Sequence, residues 1–189
     1  MFLLHFAALF SAALAQGAVP YEEYILAPAS RILRPLSVYN VNGSVTNAEA
    51  LTGDDPSSGA VFDGPSGVTF DYSKNIAGVV SVTIGDISDT NQYIGIAFTE
   101  SSLWISGNRS DATADSGLDE LLWINPSGPG TYTVPRERER GAFRYLSLVH
   151  NGTGSVEVVD FITYYTPMPH YPDDQLRNYT GFFHCDGRH

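Results

Sequence analysis

The densest group of residues able to do chemistry in this chain is acidic: Asp111, Asp115, Asp119 and Glu120 fall in one short stretch. Glycoside hydrolysis needs two carboxylates across the scissile bond, one protonated and one ionised, and such a cluster points to that reaction. The surrounding Asp111-Ala112-Thr113-Ala114-Asp115-Ser116-Gly117 is small and polar, however, and supplies nothing that would bury and neutralise one acid. The expectation is a solvated loop. The spacing of the acids also differs from the alternate-position oxygens of the common calcium loop, so that motif is absent. A calcium site assembled from separate loops stays open, with no ligand nominated.

Other candidates are weighed in the same way. Trp104, Trp123, Tyr93 and Tyr132 could form a platform for sugar rings, but they sit in apolar strand-like sequence, and the core is the expected place for them. Arg136-Glu137-Arg138-Glu139-Arg140 alternates in sign, as a solvated loop or a docking edge would. His5 lies in the apolar N-terminus, and His150, His170, His184 and His189 show no zinc-ligand spacing. No Gly-x-Ser-x-Gly elbow, phosphate loop or dinucleotide fingerprint occurs. The sequence therefore assigns no catalytic, cofactor-binding or metal residue, and no cofactor is expected.

The elements that would position these residues are strands. Val80, Val82 and Ile84 alternate with Val79, Ser81 and Thr83, and Ile94, Ile96 and Phe98 share one face, the period of two of a β-strand. Further strands are expected at 36–41, 60–62, from 68 onward, 103–105, 121–124, 131–134, 143–150 and 155–165, separated by Gly, Pro, Asn and Asp. No segment sustains a helical apolar stripe. The expected fold is all-β: an antiparallel, jelly-roll-type (concanavalin-like) β-sandwich with an N-terminal arm and a Pro-rich C-terminal connector. The expected divisions are 1–15 as a secretory leader, 16–60 as arm and short strands, 61–166 as the sandwich, and 167–189 as the connector. Pro167, Pro169 and Pro172 stiffen that connector.

Composition narrows the setting. The 189 residues carry a formal net charge of -11, and a chain that acidic without basic clusters repels phosphate backbones, so no nucleic-acid partner is expected. Residues 2–15 are nearly all apolar and end in Ala13-Leu14-Ala15, a small-x-small cleavage pattern. That run is shorter than the roughly 20 residues needed to cross a bilayer, so the expectation is secretion with no membrane anchor. Four Asn-x-Ser/Thr sequons, at Asn42, Asn108, Asn151 and Asn178, are candidate glycosylation sites; Pro126 blocks Asn125. Cys185 is the one cysteine, a thiol that pairs between molecules, has lost its partner or is simply free.

Residues 68–78 (Val-Thr-Phe-Asp-Tyr-Ser-Lys-Asn-Ile-Ala-Gly) and 140–148 (Arg-Gly-Ala-Phe-Arg-Tyr-Leu-Ser-Leu) together resemble the sandwich domain that precedes the catalytic domain of secreted fungal α-L-rhamnosidase-like glycoside hydrolases. Residues 97–101, 131–133 and 178–186 add to the resemblance. It implies that inverting hydrolysis of terminal α-L-rhamnose belongs to an (α/α)6 barrel that follows the sandwich. The chain ends at His189, where that barrel should begin, and no residue matches its general acid or base. The implied function is that of a non-catalytic sandwich from a truncated hydrolase, partnered by its missing C-terminal catalytic domain and by rhamnose-containing glycans. Truncation would account for solitary Cys185 and for the aromatic stub at 179–185. Whether the chain is itself an enzyme is left open. The alternatives are a stand-alone, lectin-like carbohydrate-binding module, or a compact glycosidase with two buried acids roughly 5–9.5 Å apart across a groove.

Overall fold

The computed structural model describes residues 24–53, 58–111 and 119–178. Among these residues eight strands follow one another: β1 (Ile32–Leu33), β2 (Ser37–Thr46), β3 (Ala60–Ile87), β4 (Ile94–Thr99), β5 (Leu122–Ile124), β6 (Gly130–Thr133), β7 (Arg140–His150) and β8 (Ser155–Tyr165). Every ladder between them is antiparallel.

The architecture follows from β3, whose 28 residues serve two layers. Its first half pairs with β2 and β7 and, at 60–63, also with β8; its second half pairs with β8 and β6, with the β7 ladder reaching on to Gly78. Between the halves the register against β7 jumps from Asp71↔Tyr145 to Ile76↔Phe143: Tyr72 stays buried, while the polar, exposed stretch at 73–75 bulges out and turns the strand. Ser73 takes the left-handed conformation there, with φ 61, and its amide donates to Asp71 Oδ1 at 2.6 Å. One layer is thus β2, β3, β7, β4 and β5; the other is β1, β8, β3 and β6.

The inward faces carry the apolar half of each alternation. Phe62, Phe70, Phe98, Phe143 and Phe161 are fully buried, with Val82, Ile84, Leu146 and Leu148 beside them. The layers meet where the Phe70 and Phe161 rings lie 4.8 Å apart; within the core Phe98 also packs against Phe143 at 4.9 Å and Tyr72 against Phe143 at 5.8 Å. Each such side chain contributes about 1.5–3 kcal/mol on leaving water. The result is the expected antiparallel β-sandwich of jelly-roll type.

Local departures have local causes. The strand expected at 103–105 is a 3-10 turn, Ser102–Trp104, because Ser101 Oγ accepts the Leu103 amide and starts a turn. The strand expected at 36–41 runs on to Thr46, and β2 completes one edge of the first layer. The strands expected at 60–62 and from 68 onward are one continuous β3. The charged run holds a 3-10 turn at Arg136–Arg138 and then enters β7. The described part of the connector lies back on the sandwich: Leu176 is fully buried, and the Arg31 guanidinium is bound by carbonyls of Tyr165, Pro167, Met168 and Tyr171. The leader at 1–15, the stub at 179–185 with Cys185, and Asp115 lie outside the described residues.

Candidate functional site

The outer face of the first layer is built from the residues that alternate with its core. Val68 and Phe70 point inward, so Gly67 and Thr69 point outward; Leu146 and Leu148 point inward, so Ser147 and Val149 point outward. Strand register then sets these residues in two rows. One reads Asn40, Thr69, Ser147, Ala97, and the other Asn42, Gly67, Val149, Gly95, Trp123. Small residues occupy the middle strands, and the face is hollow. A groove of about 680 Å³ lies over it, walled by Asn40 and Asn42 on one side and by Trp123 and the loop from Ile105 to Asn108 on the other.

Trp123 owes its position to the sheet. Its ring lies over Gly95, where an added Cβ would come within 2.7 Å of Cζ3 and 2.9 Å of Cη2. The indole remains 43% exposed. On the floor, the Thr69 and Ser147 hydroxyls hydrogen-bond at 2.7 Å. His150 closes one end: Nδ1 is 2.7 Å from the Gly64 carbonyl and Nε2 is 2.9 Å from Gln92 Oε1. Gln92 is oriented in turn by donating Nε2–H to Asp89 Oδ2 at 2.8 Å. Hydrogen bonds from the Asn91 amide and from Gln92 hold the Asp89 carboxyl below its ordinary range. The network ties the end of the groove to the turn before β4. Nothing in the spacing of the histidines pointed to it, because the partners of His150 are a backbone carbonyl and an amide.

The acids of the sequence reading go elsewhere. Asp119 Oδ2 stands 2.8 Å from Arg140 Nε, Asp111 makes a backbone hydrogen bond to the Phe98 carbonyl, and Glu120 is exposed. Among the described residues no Asp or Glu lines the groove and no carboxylate is buried. The described residues also contain no group of three or more His, Cys, Asp or Glu placed to hold a metal ion.

The aromatic residues correct the expectation of a core position. Trp104 is 58%, Trp123 43% and Tyr93 39% exposed; Tyr132 is half-buried, with its hydroxyl donating to the Gly128 carbonyl. Trp104 is outside because its segment is a turn. Trp123 is outside because Leu122, next to it in β5, takes the inward position. Of the sequons, Asn42, Asn108 and Asn151 all border the groove, while Asn178 is exposed within the connector.

Beyond the Ser147 row, the stretches 68–78 and 140–148 lie side by side as paired parts of β3 and β7. Arg144 grips Asp71 with two hydrogen bonds, Nε at 2.9 Å and Nη2 at 2.8 Å, and this holds the Asp71 carboxyl below its ordinary value of 3.8. A carboxylate whose folded pKa is depressed adds stability that is complete above the unfolded value and disappears as pH falls through the folded one. Thermal unfolding of Asp71→Asn should therefore lie below the parent at pH 7, with the gap closing below pH about 4. A gap that stayed constant down to pH 2.5 would remove the ion pair as its source.

No protein-family model matches the chain, and no relative is found among curated proteins. Similar shapes do occur among solved structures. One is the chitosan-binding module 1 of a chitosanase/glucanase from Paenibacillus sp. IK-5, at 10% identity and TM-score 0.44, covering 71% of this chain and 98% of that one. A second is a CBM32 domain produced by Clostridium perfringens, at 12% identity and TM-score 0.44, covering 67% and 92%. A third is a rhamnosidase from Klebsiella oxytoca with rhamnose bound, at 16% identity and TM-score 0.44, covering 72% of this chain and 30% of that one. At these levels the likeness is one of overall shape and carries nothing about ligand.

Proposed function

We propose that this chain is a non-catalytic carbohydrate-binding β-sandwich of a secreted glycoside hydrolase, and that its groove takes a neutral saccharide. The observation that carries the reading is Trp123 laid across Gly95 at the edge of an uncharged floor. An exposed indole face suits the C–H face of a pyranose, while Asn40, Asn42, Thr69 and Ser147 offer amides and hydroxyls to the sugar's own hydroxyls. About 680 Å³ is in the range of small-molecule sites. No Asp or Glu is among the described residues that line the groove, which supports binding over cleavage as the reading of this site.

The experiment is isothermal titration with neutral saccharides, beginning with rhamnose, rhamnose-containing oligosaccharides and pectic fragments. Saturable binding with Kd near or below about 1 mM is expected, a free energy of roughly -4 kcal/mol. Flat titrations across the whole panel would sink the reading.

A second role is favoured by a different observation. Arg31 fixes the described connector on the sandwich, which suits a brace that holds a following catalytic domain at a set angle. In an α-L-rhamnosidase-like parent the same sandwich would serve both purposes. Residues 16–189 should then show no turnover of an aryl rhamnoside; turnover abolished by changing one of the chain's own acids would overturn the non-catalytic assignment.

A further inference from the structure

Three of the four sequons meet at the groove although they come from distant parts of the sequence. Asn42 stands on the β2 wall, Asn108 on the loop opposite, and Asn151 beside His150 at the closed end. All three side chains are exposed. Asn108 receives the Ser106 hydroxyl through its Oδ1, not through the nitrogen that would carry a sugar. We propose that N-linked glycans on Asn42, Asn108 and Asn151 fill this groove and regulate its access to external saccharides. The proposal rests on the groove being a saccharide site.

The chemistry is ordinary acceptor chemistry. The Asn amide nitrogen attacks C1 of an oligosaccharide carried on a lipid diphosphate. A C1–N bond forms, the C1–O bond to phosphate breaks, the amide loses a proton and the lipid diphosphate leaves. What is particular here is where the product starts. Each glycan is rooted in the wall of a groove shaped for sugars, so its first rings are tethered at an effective concentration in the mM range. Tethering at that level fills a site of even weak intrinsic affinity, and an external saccharide must compete with it.

The test uses the whole chain secreted by a glycosylating eukaryotic host, alongside the same material trimmed with an endoglycosidase. Trp104→Phe leaves Trp123 as the single tryptophan, because the chain has two. Glycopeptide mass spectrometry should find Asn42, Asn108 and Asn151 occupied. Acrylamide quenching of Trp123 should be weaker in the glycosylated form, and its Kd for a saccharide should be at least about tenfold higher than after trimming. Ser44→Ala and Thr153→Ala remove single sequons without touching the groove lining, and each should open the groove in part. Unmodified asparagines, or equal quenching and equal binding in both forms, would overturn the proposal while leaving the saccharide site standing. Protection of Trp123 with no saccharide bound by either form would support coverage by glycans but end the saccharide reading, and with it regulation of access.

Discussion

Replacing Arg31 with alanine should lower the stability of the sandwich by at least about 3 kcal/mol, since a buried polar group left without its partner costs about 1–3 kcal/mol and four carbonyls lose theirs. Arg31 is 4% exposed and uses all five of its N–H donors. Nε donates to Asp173 Oδ1 at 2.6 Å. Nη1 donates to the Tyr165 and Pro167 carbonyls at 2.8 and 3.0 Å, and Nη2 to those of Met168 and Tyr171 at 2.9 and 2.8 Å. Alanine would leave four carbonyls without this donor at the point where the chain turns off β8. Lysine should recover little, since a single ammonium offers three donors and no planar fork. Asp173→Asn is the informative control. The Asp173 side chain is 68% exposed, so its ion pair is worth little and its loss should cost under about 1 kcal/mol. Urea unfolding of the three variants, with limited proteolysis after residue 165, reads the effect. Equal losses for Arg31→Ala and Asp173→Asn would assign the clasp to the ion pair instead of the carbonyls.

Replacing Trp123 with alanine should weaken saccharide binding at least about tenfold, or about 1.4 kcal/mol, with little change in stability. The indole is 43% exposed, so its removal opens no core cavity. Gly95→Ala probes the same platform without deleting it. The new Cβ would meet Trp123 Cζ3 and Leu121 Cδ2, each at 2.7 Å, and the ring must lift from the sheet. Binding should fall for this variant too, and Trp123 fluorescence should shift. Trp123→Ala binding as well as the parent would move the ligand off this wall.

Much of the fold was legible because its cause is local. Val80, Val82 and Ile84 face inward as their alternation requires, and β6, β7 and β8 appear close to where turn residues bracket apolar runs. Where both neighbours of a position are apolar, that signal fails. Leu121, Leu122, Trp123 and Ile124 read equally well on either face, and the pairing of β5 with β4 decides that Trp123 is outside. Residues 103–105 look like a strand by composition, yet one serine hydroxyl capping the Leu103 amide makes them a turn. The groove was hidden for a related reason. Gly67, Thr69, Gly95, Ala97 and Ser147 are small and uninformative one by one, and they form a hollow only when three strands place them side by side.

The sequence by itself determined an acidic, all-β chain with layered strands, because period-two patterning and turn chemistry act over a few residues. Tertiary structure alone decided that Arg31 holds the connector, that Trp123 borders a groove, and that Asn42, Asn108 and Asn151 share it. Those relations depend on register between strands far apart in the chain, and register is set by the joint packing of both layers, which no short stretch of residues encodes.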